Sequence, residues 1–406
     1  MTNSPNSTSR RPFRTARRAP ALAALVAAAL TAGTPCATAA EQREDRSGIR
    51  LQRDADALTA LGVTGVQARL TTADGRESTA TSGVADLTDR HPVAADGYFR
   101  IASVTKTFTA TVVLQLVGDG ALRLDDPVER WLPGVVAGNG NDGREITVRQ
   151  LLQHTGGLHD DYPDYTSEED FQQRRYEGRA PEQTVAAAMT HRPDFRPGEQ
   201  WRYNNTGYVL LGMIVERVTG HPWYEEVRDR IVRPLGLDHT FRPGSTPTLP
   251  RPHASTYQRF AAGAAPVDVT EQVGPGTNAE AGLVSTTADL NRFFGALLGG
   301  RLLPPAQLAE MRRTVPIGKE FRKLMPGARD GLGLFSRPLS CGGLQWGHEG
   351  GDSGWVTATG TTADGRRTVT VSMSGVLADS AEEVLRVERA ASRLVDHALC
   401  ADADDR

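Results

Sequence analysis

The chain has 406 residues, a formal net charge of −3 and 39% hydrophobic residues. Its first forty residues carry five arginines and no acid, so without them the charge falls from −3 to −8. That acidity excludes a nucleic-acid partner, because no basic stripe remains to neutralise phosphates, and no later run of apolar residues is long enough to span a membrane.

Residues 1–40 read as an export leader. Arg10, Arg11, Arg14, Arg17 and Arg18 form a basic head, Ala19 to Leu30 is apolar, and Ala37-Thr38-Ala39 offers small residues for cleavage. Ser9-Arg10-Arg11-Pro12-Phe13-Arg14 fits a twin-arginine signal and equally an ordinary secretory signal. Gly33-Thr34-Pro35 before Cys36 is not a lipoprotein signature. The expectation is a secreted protein with no permanent membrane anchor, residues 41–406 forming its domain. Two cysteines remain, Cys341 and Cys400, and in an oxidising compartment such a pair predicts a disulfide.

Val66 to Leu70 alternates, Asp74-Gly75 makes a turn and Ser78 to Val84 returns, which predicts a hairpin. Thr105 to Val117 reads as a helix ending at Gly118-Asp119-Gly120, and Gly207 to Val218 as another between Asn205-Thr206 and Gly220-His221-Pro222. A further helix opens at Thr287. Gly354 to Thr361 and Thr368 to Ser374 form a second strand pair around Asp364-Gly365, and Ala381 to Leu399 has helical spacing. Strands at both ends predict a two-lobed α+β fold. An antiparallel sheet built from both termini and flanked by helices would occupy about 48–100 and 280–400, with an all-helical lobe over about 101–279.

Three groups can carry chemistry. Ser103-Val104-Thr105-Lys106 places a serine and a lysine on one helix face, at an N-terminus whose free N–H groups favour an oxyanion. Lysine is rare here, occurring three times, and unlike arginine it deprotonates when buried. Tyr203-Asn204-Asn205 offers a proton shuttle and an amide. Trp346-Gly347-His348-Glu349-Gly350-Gly351 precedes a strand, and its glycines allow a substrate backbone to approach. Taken singly, each reads better as a helix cap with a surface lysine, a capped junction, or a polar turn. His348-Glu349 is not a zinc motif, since Asp352 stands where a second histidine is needed. His154 and His159 lack a suitably spaced third ligand, and Asn139 to Gly143 is a turn. Neither a Gly-x-Ser-x-Gly elbow nor a phosphate loop is present.

The order Ser-x-x-Lys, Tyr-x-Asn, His-x-Gly resembles the penicillin-recognising serine hydrolases, nearest to the secreted D-alanyl-D-alanine carboxypeptidases and class C β-lactamases. Phe99 to Phe108, Ile146 to Leu158 and Ala281 to Leu290 resemble shared segments of that family, so the likeness covers nearly all of the chain after the leader. The resemblance implies an acyl-enzyme at Ser103, with Lys106 and Tyr203 sharing the proton transfers. It further implies Asn205 against substrate and Lys106, a substrate strand beginning at His348, Glu349 and Gly350, and an oxyanion hole from the N–H groups of Ser103 and Gly351. No metal or cofactor is implied. The substrate class is a small peptide, β-lactam or ester, and the expected activity is D-alanyl-D-alanine carboxypeptidase on cell-wall-type peptides. The alternatives are an esterase, a D-aminopeptidase or amidase, a β-lactamase, or an inactive binding protein. One departure bears on the choice. Glu349 stands where the carboxypeptidases usually have threonine, and a glutamate directed into the pocket would repel a substrate carboxylate and suit a cation.

Overall fold

A computed structural model describes residues 39–401 apart from 163 and 275. The leader expected over 1–40 therefore lies outside the described residues, except for Ala39 and Ala40. These two open α1 (Ala39–Thr59).

The sheet has nine strands, all antiparallel: β1 (Val63–Thr71), β2 (Glu77–Gly83), and, after the two-residue ladder of β3 (Phe99–Arg100) with β4 (Val284–Ser285), β5 (Val315–Pro316), β6 (Arg329–Asp330), β7 (Phe335–Pro338), β8 (Leu344–Gly347), β9 (Glu349–Asp352), β10 (Trp355–Thr362) and β11 (Thr368–Val376). The order is β2-β1-β11-β10-β8-β7-β6-β5, with β9 also on β10. The first and last strands pair centrally, Val66 opposite Met373 and Leu70 opposite Val369. This joins the two ends of the chain in one sheet, as the two hairpin patterns predict.

Alternation sets the faces. Val66, Ala68 and Leu70 point to one side, where Leu51, Ala55 and Leu58 of α1 meet Leu394 and Val395 of α6 (Ala381–Cys400). A buried leucine there stabilises the fold by about 1.5–3 kcal/mol. The disulfide Cys341–Cys400, with Cα atoms 5.6 Å apart, ties the β7–β8 turn to the last residue of α6.

On the other face lies α5 (Thr287–Leu298), whose Asn291 amide donates to Arg69 O at 3.0 Å and whose Phe293 stacks on Phe108 at 3.7 Å. Phe108 belongs to α2 (Thr105–Gly118), buried on nearly every side, as a helix apolar all round must be. The second lobe packs around α2 through α3 (Val148–Leu152) and α4 (Asn205–Thr219). It is not all-helical. Asn139 and Gly140, both at positive φ, turn a short ladder between Ala137–Gly138 and Asn141–Asp142, and Tyr257–Gln258 pairs with Val267–Asp268.

Candidate active site

Ser103 sits in a single 3-10 turn, Ala102–Val104, between β3 and α2. Ala102 has φ 46°, a costly conformation for a residue with a Cβ, and this strained turn presents Ser103 at the junction of sheet and helices. One turn on, Lys106 is fully buried in α2. Its Nζ lies 3.0 Å from Ser103 Oγ, 2.8 Å from Asn205 Oδ1 and 2.9 Å from Glu280 O. Burial brings this lysine down from 10.5 to about 7, against the opposing pull of Glu280 and Asp160.

The partners fix what a neutral Lys106 can do. A backbone carbonyl accepts only, and the Asn205 amide is held with its oxygen towards Nζ because its Nδ2 donates to Asp160 Oδ2 at 2.8 Å. A neutral amine has two hydrogens, and these two acceptors take both. Its lone pair is left facing Ser103 Oγ.

Asp160 is a residue that sequence reasoning missed. Its Oδ1 also accepts from Asn205 N at 2.7 Å, Thr206 N at 3.0 Å and the Thr206 hydroxyl at 3.2 Å, so it caps α4 and orients Asn205 together. Asn204 completes the cap, its Oδ1 accepting from Gly207 N at 2.7 Å.

Burial holds the Tyr203 phenol above the ordinary tyrosine range, with Ser103 beside it pulling the other way. Its ring lies 4.9 Å from Lys106 Nζ and packs on His154 at 4.4 Å and Phe321 at 5.1 Å. His154, in the turn after α3, is buried and accepts from Asn204 N at 3.1 Å. Burial also keeps its imidazole neutral.

β9 runs against the Ser103 turn. A Cβ on Gly350 would meet Ile101 O at 2.3 Å and Ser103 N at 3.2 Å, so only glycine permits this approach. Gly351 faces open space on the opposite side of the strand, as alternation requires. His348 is buried, its Nε2 has no hydrogen-bond partner among the described residues, and burial with Lys106 nearby takes it down to about 3. It is a neutral imidazole and supplies no cation.

Glu349 differs from the expectation. It lies on the face opposite Gly350, and its Oε1 accepts from Arg337 at 2.6 Å, while Arg337 also donates to Ser392 of α6 at 2.8 Å. The carboxylate is paired behind the sheet and does not enter the pocket.

Two further acids adjoin the site. Glu280 is 2% exposed, and burial raises its carboxyl to about 7 against the pull of Lys106. Asp352, the residue after Gly351, is raised to about 6 by burial, with Arg100 opposing. Arg100 itself is pinned to Gln272 O and Pro247 O. Glu280 left one signal in the sequence, a charge inside the otherwise apolar run Ala279 to Val284.

Comparison with known proteins agrees with this geometry. The chain is similar to a D-stereospecific amidohydrolase from a Streptomyces species, with 40% identity, a TM-score of 0.76, and coverage of 84% of this chain and 98% of that one. It is also similar to the D-amino acid amidase of Ochrobactrum anthropi SV3, with 30% identity, a TM-score of 0.76, and coverage of 89% and 99%. Penicillin-binding protein 4 of Amycolatopsis lactamdurans is 32% identical over 249 residues, 60% of this chain and 63% of that protein. The chain thus spans less than two thirds of the curated penicillin-binding relatives it matches. The β-lactamase family model matches residues 51–392. A sheet lobe carrying His348-x-Gly350 against a buried Ser103–Lys106 pair, with that match across the domain, makes this chain a member of the β-lactamase family of serine hydrolases.

Proposed function

We propose that the protein hydrolyses the amide bond of D-amino-acid amides or short D-peptides that carry a free α-amino group, through an acyl-enzyme on Ser103. The observation that carries the substrate class is the charge around Ser103. Asp352 follows Gly351 on β9, His348 is neutral, Glu349 is paired away with Arg337, and Lys106 is committed to Ser103, Asn205 and Glu280. Such a site suits an ammonium and offers little to a terminal carboxylate. The likeness to two D-amino-acid-directed amidases supports the same class.

In this mechanism the neutral Lys106 takes the Ser103 proton as Oγ attacks the acyl carbon. The N–H groups of Ser103 and Gly351 receive the oxyanion, a contribution of about 3 kcal/mol per donor in other enzymes. Tyr203, kept protonated by burial, donates to the departing nitrogen and recovers its proton from Lys106. Water then attacks the ester carbonyl, the neutral Lys106 taking its proton and passing it to Ser103 Oγ as the acyl–oxygen bond breaks, so the acid is released with Ser103 restored. Lys106 is the first acceptor because its amine is free near neutral pH and the phenolate is not.

A second reading, D-alanyl-D-alanine carboxypeptidase, draws support from the penicillin-binding relative. Turnover of D-phenylalaninamide, its N-acetyl derivative, an N-acyl-D-Ala-D-Ala peptide and a short acyl ester separates the two. The proposal requires the free amine to be preferred at least tenfold over its acetylated form, and preference for the N-acyl dipeptide overturns it. Export is part of the proposal, supported by the leader pattern and by the disulfide. N-terminal sequencing of protein recovered outside the cell tests it.

A further inference from the structure

Glu280 holds Lys106 through its backbone carbonyl, and its side chain is itself unusual. The carboxyl is shielded from solvent, Oε1 accepts only a long hydrogen bond of 3.4 Å from Asn278 N, and Oε2 has no hydrogen-bond partner among the described residues. A carboxylate so poorly solvated persists only beside a cation or by taking up a proton. The cations acting on it are Lys106 and Arg242, and the guanidinium of Arg242 is engaged by Thr277 O at 2.9 Å. Around the same groups stand Asp160, which acts on Lys106, the buried phenols of Tyr162 and Tyr203, and the neutral imidazoles of His154 and His348.

We propose that Glu280 is a positioning residue that works with Lys106 as a proton-sharing pair, setting the conditions under which Lys106 turns its lone pair to Ser103. With both groups protonated, an ammonium faces Ser103 and cannot accept a proton. Removal of one proton leaves the other on either group, and only the tautomer with the neutral amine is competent. Removal of the second leaves a neutral amine beside a carboxylate. Burial lowers the lysine and raises the carboxyl, drawing the two groups towards one another, so the protons are shared over the pair. No motif of the family resemblance calls for an acid here. The inference rests on the Ser103–Lys106 chemistry and not on the amide substrate.

The chain offers a direct readout. It has three lysines, and Lys319 and Lys323 are exposed, so selective 13C labelling of lysine gives a spectrum in which the buried Lys106 stands apart. In the wild type its Cε signal should titrate in two coupled steps around neutral pH. In Glu280→Gln it should titrate in one step, at least half a pH unit lower, because the carboxylate that favours the ammonium is gone. The rate of Ser103 acylation by an activated ester or a chromogenic penicillin should follow. One pH unit below the wild-type midpoint, the variant should retain about threefold more of its own plateau rate. A loss of rate uniform across pH, with the midpoint unmoved, means a merely structural role and overturns the proposal. If the variant does not fold, the wild-type titration decides alone, and a single-step curve for Lys106 overturns it. Failure of the amide reading would appear in the substrate panel and leave this titration unchanged.

Discussion

Replacing Asp160 tests how the site is held. Its carboxylate accepts four hydrogen bonds, from Asn205 N, Thr206 N, the Thr206 hydroxyl and Asn205 Nδ2, at 2.7, 3.0, 3.2 and 2.8 Å. In Asp160→Ala, α4 loses a charged cap while Asn204 keeps the other, a loss of about 2 kcal/mol of stability. For a domain of this size that is roughly 3 °C in Tm. The larger effect is on chemistry. Without Asp160 the Asn205 amide is free to turn its NH2 towards Lys106, where it competes with Ser103 for the lone pair. The expected loss in kcat is about 10- to 100-fold, or about 1.4–2.7 kcal/mol, with KM changed less. Asp160→Asn separates the two roles. Its oxygen still caps α4, but its NH2 meets the Asn205 NH2, donor against donor, so stability recovers and kcat does not. Steady-state kinetics and calorimetry on both variants check this. Variants that keep kcat within twofold of the wild type refute the reasoning.

Lys106→Arg should abolish acylation of Ser103, at least a thousandfold in rate, because a guanidinium stays charged at any working pH; stopped-flow acylation measures it. The acid limb of kcat/KM should lie near pH 7, activity rising as pH climbs through it, since burial lowers the Lys106 ammonium to about 7 and the amine is the reactive form. Glu349→Gln should alter the preference between cationic and anionic substrates by less than threefold, its carboxylate being bound to Arg337 behind the sheet, as competition assays would show. Reducing the disulfide, which closes a separation of 59 residues, should cost about 4 kcal/mol in denaturant unfolding and leave kcat nearly unchanged.

The terminal strands and helices were legible because their periods are long. Val66 to Leu70 alternates and Val387 to Val395 recurs at helical spacing. The sheet edge at β5–β8 was not, since its strands are two to four residues long and broken by Pro316, Gly331, Gly333 and Pro338. Ser103 and Lys106 could be paired from one helical turn, and their order with Tyr203 and His348 did the rest. Asp160 and Glu280 reach the site across 45 and 174 residues of chain, a distance no local pattern spans. The direction of Glu349 was left open by the sequence for a related reason. Which face it takes follows from the close approach of Gly350 to the Ser103 turn, and that is a tertiary fact.

The central claim is that Ser103 is the nucleophile and Lys106 its base. Acid quenching during turnover of D-phenylalaninamide or exposure to a penicillin, followed by trypsin and mass spectrometry, tests it most directly. Cleavage after Arg100 and Lys106 isolates the peptide Ile101–Lys106, which contains Ser103. The account predicts the acyl mass on that peptide in the wild type, and no adduct or turnover in Ser103→Ala. An adduct at another residue, or turnover surviving in Ser103→Ala, would contradict it.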